Sequence, residues 1–165
     1  MSPETDTPED AEVSRFITSC HKAEEAALRL IARAEQNSFA LMVKLERKGF
    51  DTAVIRAVIS GLSERGLLDD GRYAELWLRS RLVTKVQGPK SLLFSLRKRG
   101  IDRHSAKRAL EKVLDPDAEY ALLLRNIEKL QKTPPSKLKK APPLRTRLKC
   151  EGFSAESLEK YFSDF

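Results

Sequence analysis

The chain has few of the residues from which catalytic and metal sites are usually built. Two cysteines, Cys20 and Cys150, and two histidines, His21 and His104, occur in 165 residues, and neither cysteine has a partner at CxxC spacing. That excludes a disulfide framework, and a metal site would need convergence of residues remote in sequence. The GxxxxGK[ST], GxGxxG, HExxH and GxSxG patterns are all missing, which removes the usual phosphate-binding, dinucleotide, metalloprotease and serine-hydrolase signatures. Asp69 and Asp70 are adjacent carboxylates, but at the start of a helical pattern they read as a cap and a dipole partner rather than an acid–base couple. No apolar run approaches the roughly 20 residues of a membrane span, and Met1 to Glu12 is polar and acidic rather than signal-like. The expectation is a cytoplasmic, non-enzymatic protein with no cofactor, no membrane contact and a monomeric state.

β-formers are also scarce. Leu occurs 23 times against 13 for Val and Ile together. Apolar positions recur at three and four rather than at two, which favours helices. The net charge of +7 is unevenly spread: residues 71–114 hold twelve Lys and Arg against three Asp and Glu, whereas residues 1–24 hold two against six.

One heptapeptide organises the chain. Leu45-Glu46-Arg47-Lys48-Gly49-Phe50-Asp51 returns as Leu96-Arg97-Lys98-Arg99-Gly100-Ile101-Asp102 and, more weakly, as Leu148-Lys149-Cys150-Glu151-Gly152-Phe153-Ser154, with glycines 51 and 52 residues apart. Its physical sense is a helix end followed by a helix start. A basic last turn suits the negative end of the helix dipole, and glycine just beyond it can close the helix in the left-handed conformation. The next apolar residue packs back, and Asp51, Asp102 or Ser154 caps the following helix. After each glycine the same face is written again, by Ile55, Val58, Ile59 and Leu62, then Ala106, Ala109, Leu110 and Val113, then Leu158, Tyr161, Phe162 and Phe165.

Gly66, Gly88-Pro89 and Asp115-Pro116 supply further starts and stops. The spacing predicts helices near 24–36, 38–48, 52–65, 70–86, 89–99, 103–114, 116–131, 143–151 and 155–163. The expected fold is all-α, three tandem three-helix repeats forming an elongated curved array. Residues 1–23 are expected to be an acidic, disordered segment whose signs also permit a shield over basic surface. The repeats occupy 24–68, 69–114 and 115–165, the last interrupted by a proline-rich loop at 132–143. In that third copy Arg145 stands where the others have Met42 and Leu93.

The basic middle copy carries the functional content. On helix 70–86 the core face is expected to be Tyr73, Leu76, Trp77, Ser80 and Val83 or Thr84, leaving Arg72, Arg79, Arg81 and Lys85 at its flanks or in solvent. On helix 89–99 Leu92, Leu93 and Leu96 point inward, and Lys90, Phe94, Arg97 and Lys98 share the outer side. Phe94 is expected to pack on a neighbouring helix, and Trp77 in the core. Unbalanced like charge costs self-repulsion and is usually kept for an anionic partner. Arg99, Arg103, Lys139, Lys140, Arg145 and Arg147 complete the candidate partner-binding set.

Leu67-Leu68-Asp69-Asp70-Gly71-Arg72-Tyr73-Ala74, followed by Arg79 and Arg81, Gly88-Pro89, Leu92, Leu96 and Arg99-Gly100-Ile101-Asp102, resembles the middle repeat of the bacterial RecX family. Ala27 to Arg33 and Leu45 to Phe50 are similar to its first repeat, so the resemblance covers residues 25–114 well and 115–165 loosely. It implies tandem three-helix repeats that lie in the helical groove of the RecA–DNA filament, limit its growth, and inhibit its ATPase and strand exchange. Such proteins act in DNA recombination and repair and the SOS response, without catalysis or cofactor. The charge map alone also permits a sequence-independent binder of single-stranded or duplex DNA that acts without RecA.

Overall fold

The computed structural model describes residues 8–132 and 142–163, which form nine α-helices and, among those residues, no strand. In chain order they are α1 (Pro8–Arg33), α2 (Ser38–Glu46), α3 (Thr52–Glu64), α4 (Asp70–Thr84), α5 (Pro89–Arg97), α6 (Arg103–Val113), α7 (Pro116–Gln131), α8 (Leu144–Glu151) and α9 (Ala155–Ser163). They make three successive three-helix copies, gathered into two compact units, Met1–Asp70 and Gly71–Phe165.

One expectation is overturned at the start of the chain. Residues 8–23, expected to be unstructured, are the first half of α1. Acidity misled the reading. Glu9 and Asp10 lie in the first turn, where negative charge favours a helix, and no Gly or Pro interrupts 9–33.

The corner between the second and third helix of each copy follows the heptapeptide. Gly49, Gly100 and Gly152 have φ of 86°, 83° and 92°. At each, the next residue's N–H donates to a leucine carbonyl in the preceding helix: Phe50 to Leu45 at 3.3 Å, Ile101 to Leu96 at 3.2 Å, Phe153 to Leu148 at 3.4 Å. Each glycine N–H donates to the carbonyl one residue further on, which satisfies two otherwise orphaned carbonyls per helix end. The caps that follow differ. Asp102 accepts from the N–H of His104 and Ser105, and Ser154 Oγ from Ser157 N–H, whereas Asp51 makes no side-chain cap bond. The Ser105 hydroxyl and then its N–H hold the Asp102 carboxyl below the ordinary carboxylate range. The folded pKa is depressed, so the cap stabilises α6 above the ordinary carboxylate pKa and is lost as pH falls through the folded value. In an NMR titration Asp102 should have a lower midpoint in the folded chain than in urea.

In the first unit Ala23, Ala27, Leu41, Leu45, Ile55 and Leu62 form the centre of the core. Asn37, 1% exposed, caps α2 by accepting from Ala40 N–H at 2.7 Å, and Asp70 accepts from Ser38 N–H at 2.7 Å. In the second unit copies two and three share one core around Leu78, Leu92, Leu96, Leu123 and Leu148. There α5 and α8 meet at almost backbone distance. A Cβ on Gly88 would lie 2.7 Å from Glu151 Cβ and 2.9 Å from its carbonyl oxygen. Gly88→Ala should therefore force the copies apart, costing about 1–3 kcal/mol in urea unfolding. Asn126, 3% exposed in α7, has no partner for Nδ2 among the described residues. Asn126→Leu removes that desolvated donor and should raise stability by about 1 kcal/mol in the same assay.

Candidate partner-binding surface

The basic copy is built on α4, α5 and α6. Ala74 and Leu78 of α4 are fully buried, while Tyr73, Trp77 and Leu82 lie at the margins. The expected core face is thus rotated. Leu76 and Val83 are 50% and 80% exposed, and Ser80 and Thr84 also face solvent. Ala74 and Leu78 of α4 belong to the same buried cluster as Ala106 and Ala109 of α6, so the side of α4 that carries them faces the core. On α5 the expectation holds, with Leu92 and Leu96 buried and Leu93 half-buried.

The acids of this copy are all engaged. Glu75 Oε1 accepts from Lys112 Nζ at 2.7 Å, Glu111 Oε1 lies 3.4 Å from Lys107 Nζ, and Asp102 caps α6. Six cations, Arg79, Lys85, Lys90, Arg97, Arg103 and Arg108, then face solvent with no carboxylate within ion-pair distance among the described residues. Arg72 is likewise exposed, in the first turn of α4.

Other predicted residues are committed to aromatic rings. The guanidinium carbons of Arg81 and Arg99 lie 5.7 and 4.7 Å from the Trp77 ring centroid, and Arg81 Nε also donates to Gln87 Oε1 at 2.7 Å. Trp77 is therefore half-buried at the margin of the core, not inside it. Phe94 does not pack into a neighbouring helix. It is 59% exposed, with Lys98 Nζ 4.7 Å from its ring centroid. Between α5 and α6 lies a groove of about 590 Å³ lined by Lys90, Leu93, Phe94, Arg97, Arg103, Ala106 and Lys107.

The third-copy residues sit apart from this set. Arg145 of α8 is over the Phe162 ring at 5.7 Å, and Arg147 is half-buried on the same helix. Lys139 and Lys140 lie outside the described residues. Sequence reading missed Arg125 and Lys129 of α7, which donate to the carbonyls of Leu82 and Val86 at 2.8 and 3.0 Å. They tie down the C-terminal end of α4, and their i, i+4 spacing was the available signal. The described residues include no group of three or more His, Cys, Asp or Glu able to hold a metal, and no helix long and apolar enough to cross a membrane.

The family model described as RecX, second three-helix domain, matches residues 69–110, which span α4, α5 and α6 through Leu110. The chain is 36% identical over 117 residues to the regulatory protein RecX of Treponema pallidum subsp. pallidum, covering 71% of each. It belongs to the RecX family. A second relative, the regulatory protein RecX of Halorhodospira halophila, is 44% identical over 95 residues, 58% of this chain and 55% of that one. The fold agrees with a crystal structure of regulatory protein RecX at a TM-score of 0.75, with 19% identity over all of this chain and 83% of the other. The family match falls on the copy that concentrates exposed cations, so the RecX domain and the candidate surface are the same three helices.

Proposed function

We propose that this RecX-family chain is a negative regulator of the RecA recombinase, binding the RecA–DNA filament through the cationic faces of α4 to α6. Bound there, it limits filament growth and lowers ATPase and strand exchange. Family membership supports the regulatory role. The observation that carries the binding mode is the set of six solvent-facing cations within residues 71–114, whose three acids are already engaged. A filament presents DNA phosphates and acidic protein surface, and such a face meets either without first breaking ion pairs of its own. The role needs no cofactor and no chemistry from the chain.

The second reading, sequence-independent DNA binding without RecA, rests on the same charge. The two separate in one titration. Purified chain should lower RecA's DNA-dependent ATPase at or below stoichiometric amounts, and Arg79→Glu/Lys90→Glu/Arg97→Glu should raise the half-inhibitory concentration about tenfold or more with circular dichroism unchanged. Unchanged ATPase at excess chain, with steeply salt-dependent DNA affinity, would establish the DNA-only reading instead.

A further inference from the structure

We propose that the α5–α6 groove is a docking site for an acidic, amphipathic segment of a protein partner; that this partner is the recombinase rests on the function proposed above.

The groove has a floor and a rim of different chemistry. Leu93 and Ala106 form the floor, and Lys90, Arg97 and Arg103 stand around it without a carboxylate partner among the described residues. It continues into a second hollow of about 390 Å³ bounded also by α7 and the corner after α8, sharing Lys90, Leu93 and Lys107 and adding Leu110, Glu111 and Glu119. The trough is therefore cationic at one end, apolar along its middle and of mixed charge at the other, where Lys107 is paired with Glu111.

That polarity selects the occupant. A nucleic-acid strand is charged at every step, so one lying along the trough would meet Glu119 and the already paired Lys107 and Glu111 in the second hollow and leave the apolar floor unused. A peptide with apolar side chains between carboxylates satisfies floor and cationic rim together.

The repeat makes the same case independently. The first copy has an equivalent groove of about 390 Å³, with Met42, Ile55 and Ile59 at the positions of Leu93, Ala106 and Leu110. Its floor is the same in kind, but Phe39, Glu46 and Thr52 stand where the second copy has Lys90, Arg97 and Arg103. In the third copy the groove is filled from within, since Arg145 replaces Leu93 and lies over Phe162, the counterpart of Leu110. An open groove with a cationic rim is a property of copy two.

Two measurements on the full chain test this. In the first, a dye-labelled synthetic peptide with glutamates flanking a Leu–Phe pair is titrated by anisotropy and by NMR of the ¹⁵N-labelled chain. It should bind and shift the amides of Leu93, Ala106 and Leu110. Lys90→Glu/Arg97→Glu/Arg103→Glu, folded by circular dichroism, should bind it about tenfold or more weakly and prefer the peptide with lysines for glutamates. Equal affinity for the variant, or displacement of the peptide from these residues by oligothymidylate at lower concentration, overturns the proposal. In the second, benzoylphenylalanine replaces Phe94 and is photolysed on RecA–single-stranded DNA filaments. Crosslinks to polypeptide support the groove, and crosslinks to DNA overturn it. If the chain leaves RecA unaffected while the peptide still binds in a charge-dependent way, the proposed function fails and the groove stands.

Discussion

Each copy turns on a single backbone interaction, the N–H of the residue after a left-handed glycine donating to a leucine carbonyl in the helix just ended. It requires φ near the 86°, 83° and 92° seen at Gly49, Gly100 and Gly152, a region that side chains with a Cβ rarely occupy. The bond brings Phe50, Ile101 and Phe153 back towards Leu45, Leu96 and Leu148, the residues their own N–H groups reach, and all six belong to or line the two cores. Once the reversal is set, the third helix of each copy packs back against the second. Two consequences follow: their inner faces share a core, and their outer faces leave a groove whose floor falls at fixed positions in the repeat.

How the copies use that plan depends on small residues. Copies two and three merge into one core because Gly88 and Gly152 let α5 and α8 meet at near-backbone distance. Glu119 of α7 strengthens the arrangement by accepting from Ser154 N–H and Ser154 Oγ, both at 2.7 Å, and so gathers the start of α9. The proline-rich third copy, the weakest by pattern, is thus held through α7 and α8 as well as through its last helix, α9.

The parts legible in the sequence were those set by local chemistry. Helix ends, glycine corners and repeat period follow from capping and backbone freedom, and eight of the nine helices lie within a few residues of the expected spans. Features set by tertiary distance were not legible. Nothing local says that Ala74 rather than Leu76 faces the core, because that depends on which side of α4 the rest of its unit covers. The first half of α1 is acidic, a composition that suggests solvation, although its helix propensity is uninterrupted. Arg125 and Lys129 look like any other helical cations until the carbonyls of Leu82 and Val86 are in place beside them.

The same distinction decides which charges can act on a partner. Counted in sequence, residues 71–114 hold twelve cations against three acids. Lys107 and Lys112 have ion-pair partners, and Arg81, Lys98 and Arg99 lie over rings. Using any of these elsewhere would first cost the contact already made. Lys90, Arg97 and Arg103 carry no such cost, and they border an apolar floor where charge is less screened than on open surface. Binding energy is therefore expected to concentrate at the rim of the α5–α6 groove rather than to follow the overall density of positive charge.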